Sequence, residues 1–273
     1  AAAALLQRLA GRELACRANQ AERSQRIAAE RSAWEQELSA WTHERDPFSL
    51  EIARGSKFMH PRQMLRELEL AMPQDAMVST DIGNICSVSN SYLRFEQPRS
   101  MFAAMSFGNC GYAFPVACGA KIASPARPAI AYVGDGAWGI SLNELLTCAR
   151  EKIGVTVIVF NNGQWGAEKK NHVDFYSRRF NAVNLDSPSW AAVAKAFGCE
   201  GVTVDKLSDV GPALQAAVHA QATGKCTVLE MMLTQELGDP FRRDALSKPV
   251  CYLGKDQAYT CRRPAPQLFG LRW

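Results

Sequence analysis

Two short apolar runs, each followed directly by polar residues and glycine, dominate the middle of this 273-residue sequence. Residues 129–133 indicate a fully buried strand, which turns at the Gly-Asp-Gly run 134–136 and enters a helical pattern over residues 138–151. Residues 155–160 indicate a second buried strand, which leads into the run Asn-Asn-Gly-Gln at 161–164. A strand, a helix and a second strand in this order predict a right-handed crossover between two parallel strands.

This crossover places two oxygen-bearing side chains at one edge of the sheet. Asp135 and Asn162 each follow one of the strands, and the carboxyl ends of neighbouring parallel strands lie side by side. Mg²⁺ requires octahedral oxygen ligation and usually takes one or two protein side chains together with phosphate oxygens and water. We therefore predict that Asp135, Asn162 and a backbone carbonyl, most simply that of Gln164, bind Mg²⁺ together with a diphosphate. The alternative is that both runs are ordinary turns.

The two glycines beside Asp135 support the prediction of a diphosphate. Because Gly134 and Gly136 have no Cβ, the backbone there can approach a phosphate group closely. A helix that starts near Trp138 would also offer backbone N–H groups without intrahelical partners to the anion. The metal and the diphosphate are therefore expected to occupy a single site.

The rest of the sequence repeats the alternation of strand and helix. Strands are predicted at residues 76–80, 100–104, 201–204 and 227–233, and helices at 62–71, 85–93, 190–197 and 210–222. A further helix is predicted after the glycine-punctuated loop 106–111, and a long functional loop without regular structure at 165–184. This order predicts an α/β fold, with a doubly wound, mostly parallel sheet that carries helices on both faces.

Three regions are predicted along the chain. Residues 1–55 are expected to form a helical linker and the tail of a preceding domain, since residues 5–45 are rich in Ala, Arg, Glu and Gln with sparse apolar positions. Those apolar positions are Leu5, Leu9, Ile27, Trp34, Leu38 and Trp41. Residues 56–241 are expected to form the diphosphate-binding and Mg²⁺-binding domain, and residues 242–273 a C-terminal tail. A start without Met suggests that the sequence is a fragment of a longer protein.

Composition excludes several classes of function. The formal net charge is only +4, and no basic stretch is interleaved with aromatic residues, so nucleic-acid binding is not expected. No run reaches the roughly 18 apolar residues of a membrane span, and the first residues lack the pattern of a signal peptide. The nine cysteines form no CxxC pair, which favours reduced core thiols in a cytoplasmic protein over disulfides or a zinc site.

The sequence resembles a known enzyme superfamily. Gly134-Asp135-Gly136 followed by Asn161-Asn162 is similar to the signature of thiamine-diphosphate-dependent enzymes, in the domain that binds the diphosphate. Four further runs resemble the sulfoacetaldehyde acetyltransferases within that superfamily, at residues 79–86, 105–112, 164–171 and 235–243. The resemblance covers roughly residues 34–249. The last part, residues 251–273, departs from the family pattern, and no function is assigned to it.

The resemblance implies specific cofactor contacts. Asp135, Asn162 and the carbonyl of Gln164 match the family's magnesium ligands, and the run from Gly134 through Gly136 to Ala137 matches the backbone contacts to the diphosphate. The remaining residues implied to lie near the cofactor are Asn84, Gly108 and Cys110. Relatives commonly carry a Met or Leu that supports the bent cofactor where this chain has the smaller Cys110.

The resemblance also implies an activity, which is the conversion of sulfoacetaldehyde and phosphate to acetyl phosphate and sulfite by a homodimer or homotetramer. The family's catalytic glutamate lies in an upstream domain, so no catalytic residue is expected in this chain. The chain alone is expected to bind thiamine diphosphate and Mg²⁺ without completing catalysis. The alternatives are another enzyme of the superfamily, such as an acetolactate synthase or a 2-oxoacid decarboxylase, or a non-catalytic binding or assembly module.

Charged and aromatic residues beyond this site leave alternatives open. Six basic residues could bind the anionic substrates or form a solvated basic face: Lys169, Lys170, Arg178, Arg179, Arg242 and Arg243. His60 and His172 could serve in acid–base steps, although surface or capping roles are favoured. Glu168 is a possible acid. Trp165 and Phe175 are expected to pack or to contact another subunit.

Overall fold

In the part of the chain that this computed structural model describes, residues 7–8, 10, 20–43 and 58–238, six strands form one parallel sheet. The strands are β1 (Met77–Thr80), β2 (Met101–Ala103), β3 (Ala129–Gly134), β4 (Thr156–Asn161), β5 (Glu200–Val204) and β6 (Thr227–Met232). Their order across the sheet is β2-β1-β3-β4-β6-β5, and every neighbouring pair is parallel. The predicted strands are confirmed to within one or two residues at each end.

Nine helices connect the described strands or precede them. They are α1 (Gln20–His43), α2 (Pro61–Ala71), α3 (Asn84–Ser89), α4 (Ala113–Ala123), α5 (Asp135–Ser141), α6 (Glu144–Glu151), α7 (Gly166–Phe175), α8 (Trp190–Ala196) and α9 (Leu207–Ala220). A 3₁₀ turn at Gln221–Thr223 follows α9. Among the described residues, no helix combines the length and the apolar character needed to cross a bilayer.

The sheet separates two apolar cores, because successive side chains of a strand point to opposite faces. On one face, Ile130 and Tyr132 of β3 pack with the buried residues of α2, α3 and α9. On the other face, Ala131 and Val133 of β3 pack with those of α4, α5, α6 and α8. The doubly wound architecture predicted from the continuous apolar strands is therefore confirmed.

The order of the strands reverses between β1 and β3. The chain passes from β1 outward to β2 and then returns to β3 on the opposite side of β1. In open parallel sheets, ligands bind in the crevice outside the carboxyl ends of the strands at such a reversal. Asp81 and Asp135 are the first residues after β1 and β3, so two carboxylates flank this crevice.

Two predictions about helices were wrong. The single helix predicted over residues 138–151 begins three residues earlier and is divided into α5 and α6 by a turn at Leu142 and Asn143. The loop predicted over residues 165–184 contains α7, in which Lys169 is the only buried residue. Because α7 buries no apolar side chain, the 3.6-residue hydrophobic period that reveals most surface helices is absent.

Helix α1 lies on the surface, as predicted, and is attached to the domain near its carboxyl end. Leu38 and Thr42 are buried there, and the Thr42 hydroxyl lies 3.3 Å from the Tyr92 hydroxyl. Glu35 forms ion pairs with Arg66 and Arg94. The apolar positions Leu5 and Leu9, the side chain of Trp41 and both predicted domain boundaries (55/56 and 241/242) lie outside the described residues.

The six described cysteines are free thiols. Cys86, Cys118, Cys148 and Cys226 are buried in the two cores, as predicted, whereas Cys110 and Cys199 are half-buried. The Sγ atoms of Cys118 and Cys148 are 3.4 Å apart. The remaining three cysteines, Cys16, Cys251 and Cys261, lie outside the described residues.

A buried carboxylate joins the last strand to its surroundings. Glu230 of β6 accepts hydrogen bonds from the backbone N–H groups of Trp190 (3.0 Å) and Ala191 (3.2 Å), at the start of α8. It also accepts from the Ser189 hydroxyl (2.9 Å) and from Nδ2 of Asn161 (2.8 Å). Asn161 is therefore held by this buried carboxylate, and the next residue, Asn162, is also buried.

Candidate cofactor and metal site

The Asp135 side chain is hydrogen-bonded to the backbone just after the neighbouring strand, β4. Its Oδ1 accepts from the backbone N–H of Gly136 at 2.9 Å, and its Oδ2 accepts from the backbone N–H of Gly163 at 2.7 Å. Burial raises the pKa of the Asp135 carboxyl to about 6, even though the N–H groups of Gly163 and Gly136 favour the ionised form. A cation beside this carboxylate would oppose the effect of burial and hold it ionised.

Asn162 and Gln164 flank the glycine that donates to Asp135. Both side chains are buried, and Nε2 of Gln164 donates to the Gln235 carbonyl at 3.0 Å. Within the described residues, neither the Asn162 side chain nor the Gln164 carbonyl oxygen has a hydrogen-bond partner. The turn that carries two of the three predicted ligands, Asn162 and Gln164, therefore presents oxygen atoms that have no hydrogen-bond partner in the described residues.

The two glycines beside Asp135 have different surroundings. A Cβ built on Gly134 would meet no atom within 4 Å, so the space beside it is open. A Cβ built on Gly136 would lie 2.8 Å from ring carbons of Trp165, so the absence of a side chain there makes room for the indole. Ala137 is buried one residue further along α5. A ligand can therefore approach the backbone closely at Gly134, whereas at Gly136 the Trp165 ring occupies that space.

A second carboxylate shapes the loop that follows β2. Asp81 accepts hydrogen bonds from the backbone N–H groups of Tyr112 (2.7 Å), Ala113 (3.1 Å) and Gly111 (3.2 Å). Gly111 has φ +83°, and a Cβ there would lie 2.9 Å from Cγ2 of Ile140. Burial raises the pKa of the Asp81 carboxyl, and the three N–H groups oppose the shift. Asp81 thereby fixes this loop against the start of α4 and the end of α5.

The predicted cofactor residues Gly108 and Cys110 lie in this loop. Gly108 has φ +75°, and its N–H donates to the Ala104 carbonyl at 2.8 Å, which closes a turn. Cys110 is half-buried, and burial, followed by the charges of Asp81 and Glu168, raises the pKa of its thiol. The loop carries two strongly exposed apolar side chains, Met105 and Phe107.

Asn84 lies at the start of α3, next to the start of α7. A Cβ on Gly166 would lie 3.1 Å from the Cβ of Asn84, so the starts of α3 and α7 are in contact. The Asn84 side chain donates to the Gly238 carbonyl (2.7 Å) and accepts from the Gly238 N–H (2.9 Å). Its amide therefore holds the segment after β6, and the predicted cofactor contact remains a prediction.

The basic residues in α7 and just after it do not form one solvated face. Lys169 is 2% exposed, and its Nζ lies 3.1 Å from Oε1 of Gln235. Lys170 forms an ion pair with Asp174 at 2.6 Å. Nε of Arg179 donates to the Tyr176 carbonyl at 3.2 Å. The solvated alternative is wrong for Lys169, whereas Arg242 and Arg243 lie outside the described residues.

The two histidines differ from the expectation of surface positions. His60 is 3% exposed and its Nε2 contacts the carboxylate of Glu236, which also lies 3.5 Å from Nη2 of Arg62. His60 occupies the N-cap position of α2 without a capping bond from its side chain. His172 is half-buried, with its ring 5.8 Å from that of Tyr176. A surface or capping role was favoured for His60: the surface position is wrong, because the residue is buried, whereas the capping position is confirmed without a capping bond from the side chain.

Two further expectations concerned Glu168, as a possible acid, and Phe175, as a residue that packs or contacts another subunit. Glu168 is exposed on α7, and Phe175 is 66% exposed at the end of the same helix.

Sequence reasoning missed three residues that organise the site: Asp81, Lys169 as a buried group, and Gln235. Asp81 carried a signal, because it follows a predicted strand just as Asp135 does. The partners of Lys169 and Gln235 are separated from them by up to 72 residues, so no local pattern reveals them.

Comparison with known proteins agrees with this geometry. Residues 81–231 match the profile of the family described as thiamine pyrophosphate enzyme, C-terminal TPP binding domain. The chain is 64% identical over 265 residues to a sulfoacetaldehyde acetyltransferase of Castellaniella defragrans, an alignment that covers 95% of this chain and 44% of the relative. It is 60% identical over 268 residues to one of Alcaligenes xylosoxydans xylosoxydans, covering 94% of this chain and 44% of the relative. The chain thus spans under half the length of these curated relatives.

A solved structure shares the fold. The thiamine diphosphate-dependent 4-hydroxybenzoylformate decarboxylase of Rhodococcus jostii RHA1 superposes with a TM-score of 0.61 at 24% identity, over 66% of this chain and 33% of that protein. The family profile covers more than half of this chain, and it begins at Asp81 and includes Asp135, Asn162 and Gln164. The chain therefore belongs to the thiamine pyrophosphate-dependent enzymes and contains their C-terminal cofactor-binding domain.

Proposed function

We propose that Asp135, Asn162 and the backbone carbonyl of Gln164 bind Mg²⁺, which anchors the diphosphate of thiamine diphosphate at the carboxyl edge of β3 and β4. The observation that carries this proposal is the 2.7 Å hydrogen bond from the Gly163 N–H to Oδ2 of Asp135. It joins the two strand ends next to the reversal of strand order, where parallel sheets bind their ligands.

The donor atoms fit a hard divalent cation. Each carboxylate oxygen of Asp135 accepts one N–H and keeps a further lone pair, since a carboxylate offers about four acceptor positions. The Asn162 amide and the Gln164 carbonyl add two neutral oxygens that lack partners in the described chain. One charged and two neutral oxygens leave room for diphosphate oxygens and water, which is the ligation that Mg²⁺ favours.

The remaining cofactor contacts follow from the shape around these ligands. The open space beside Gly134 can admit a phosphate group, and the backbone of Gly136 and Ala137 continues along the same edge. Asn84 lies at the neighbouring helix start, and Gly108 and Cys110 lie in the loop held by Asp81. We assign the diphosphate to the edge formed by Gly134, Gly136 and Ala137, with Asn84 beside it. We assign the aminopyrimidine ring to the loop that contains Gly108 and Cys110.

When bound, thiamine diphosphate supplies the carbanion chemistry, whereas the protein binds and orients it. In this chain we assign residues to binding alone. The catalytic glutamate implied by the family resemblance is not assigned to any residue here. We therefore expect the isolated chain to bind Mg²⁺ and thiamine diphosphate but to show no turnover.

For the protein that contains this chain, we propose the acetyltransferase reaction named for its relatives, with sulfoacetaldehyde and phosphate as substrates and acetyl phosphate and sulfite as products. We propose that it acts as a homodimer or homotetramer. The six free thiols of the described residues suit a reducing compartment, which supports a cytoplasmic location. The identity of 64% over 95% of this chain supports this choice of reaction.

The test is a steady-state assay of the full-length protein with thiamine diphosphate and Mg²⁺. Release of sulfite and acetyl phosphate from sulfoacetaldehyde and phosphate is the expected result. Consumption of pyruvate without sulfite release would instead identify an acetolactate synthase or a 2-oxoacid decarboxylase. Cofactor binding with neither activity would favour a non-catalytic module.

A further inference from the structure

We infer that Lys169 and Gln235 are positioning residues for the proposed metal-binding turn, and that they act on it through the Gly163 carbonyl and the Gln164 side chain. This inference rests on the proposed Mg²⁺ site. It concerns residues that touch neither the cation nor the cofactor, and it accounts for a buried lysine beside a site for which an anionic cofactor is proposed.

Lys169 is enclosed by protein although it carries a charge. Its Nζ lies 3.1 Å from Oε1 of Gln235, 3.5 Å from Oδ1 of Asn184 and 5.5 Å from the centroid of the Phe180 ring. Because Lys169 is 2% exposed, its Nζ has exchanged water for protein oxygens. Loss of this group would remove one donor from each of the two amide oxygens.

Gln235 connects Lys169 to the turn in two ways. Its Nε2 lies 3.4 Å from the Gly163 carbonyl and donates to it, while its backbone carbonyl accepts from Nε2 of Gln164 at 3.0 Å. The backbone N–H of the same Gly163 donates to Asp135. One residue of the turn therefore links the carboxylate ligand on one side to the Gln235 and Lys169 pair on the other.

Asn184, in the segment after α7, contacts the turn from another direction. Gln164 and Asn184 form an antiparallel bridge, and the Leu185 N–H donates to the Gly163 carbonyl at 2.8 Å. Lys169 contacts the side chain of Asn184 as well as that of Gln235. It thus lies between the two segments that hold the turn, the one after β6 and the one after α7.

Outer residues of this kind orient the ligands of a metal, and their loss weakens metal binding by about 10- to 100-fold. The experiment measures the Mg²⁺ dissociation constant of the full-length protein at saturating thiamine diphosphate, from quenching of tryptophan fluorescence. The variants are Lys169→Met and Gln235→Leu, with Lys170→Met as the matched control, because Lys170 is next in α7 but forms an ion pair with Asp174. The midpoint of thermal unfolding without cofactor is recorded for each variant.

We expect Lys169→Met and Gln235→Leu to weaken Mg²⁺ binding by about 10-fold or more, with Lys170→Met unchanged. Gln235→Glu keeps an oxygen for Lys169 and should recover part of the loss. If Lys169→Met does not fold, the two Gln235 variants decide the matter. Dissociation constants within about threefold of wild type, even with lowered thermal midpoints, would overturn the inference, as would an equal loss in Lys170→Met. If the wild-type protein binds no Mg²⁺, the proposed site itself fails.

Discussion

The backbone N–H of Gly163 donates to Oδ2 of Asp135 at 2.7 Å, across 28 residues of the chain. This bond joins the end of β3 to the end of β4 and places the Asp135 carboxylate beside the turn of Asn162 and Gln164. The side chain of Gln235 donates to the carbonyl of the same Gly163. Substitutions of Asp135 or Gln235 should therefore alter the affinity of the proposed site for Mg²⁺.

The first prediction concerns the charge of Asp135, the proposed metal ligand. Asp135→Asn keeps the shape of the side chain but removes its charge, and we expect Mg²⁺ binding to weaken by about 100-fold, or roughly 3 kcal/mol. Isothermal titration with Mg²⁺ at saturating thiamine diphosphate measures this. Asp174→Asn, in the exposed ion pair of α7, is the control and should leave the affinity unchanged. Equal affinity of Asp135→Asn and wild type would contradict the assignment of Asp135.

The second prediction compares two glycines that flank one residue. Gly136→Ala should cost about 1–3 kcal/mol of unfolding free energy, because its Cβ would lie 2.8 Å from the Trp165 ring. Gly134→Ala meets no atom within 4 Å and has φ −73°, so it should fold normally. If the open space beside Gly134 receives a phosphate, Gly134→Ala should nevertheless weaken cofactor binding. Denaturant unfolding and cofactor titration of both variants separate the two effects.

The third prediction follows from the carboxylate that holds the loop after β2. Asp81→Asn leaves one oxygen to accept from the N–H groups of Gly111, Tyr112 and Ala113, and its NH₂ group then faces one of these donors. We expect a loss of about 1–3 kcal/mol at neutral pH, together with weaker cofactor binding. Unchanged stability would show that the loop holds its position without Asp81.

The difference in stability between wild type and Asp81→Asn should also depend on pH, in a direction that follows from the pKa of Asp81. Burial raises the pKa of Asp81 in the folded protein above its ordinary value of 3.8. As the pH rises from 3.8 to the folded pKa, the unfolded chain loses its proton first, so this group makes the folded state progressively less stable. The stability advantage of wild type over Asp81→Asn should therefore shrink with rising pH across that window and then stay constant. Unfolding measured between pH 3.5 and about 8 tests this.

The fourth prediction concerns the thiol of Cys110. Cys110 is half-buried, whereas Cys86 is buried, so a maleimide should label Cys110 faster than Cys86. Burial raises the pKa of both thiols, that of Cys86 to about 12, so the labelling rate should increase with pH. Bound thiamine diphosphate should slow labelling of Cys110, and Cys110→Ser identifies the peptide by mass spectrometry. Labelling that is insensitive to the cofactor would place Cys110 away from it.

The strands and their order of alternation could be predicted because parallel strands are buried on both faces. Residues 129–133 and 155–160 are continuous apolar runs for this reason, and the structure extends or shifts each by a single residue. Helix α7 could not be predicted in the same way. Its only buried residue is Lys169, so the helix is stabilised by the Lys170–Asp174 pair and by its neighbours rather than by an apolar stripe.

By itself, the sequence determined the class of fold and the two strand ends on which the proposed ligands lie. Asp135 and Asn162 follow apolar runs, and the geometry of a parallel crossover requires such positions to meet. Only the tertiary structure decided which groups surround them: Asp81 after β1, which accepts hydrogen bonds from the loop after β2, and Lys169 with Gln235, which contacts Gly163. The physical reason is that a buried charge or amide must find its hydrogen-bond partners in space. Those partners lie on segments that are distant in sequence, where no local period records them.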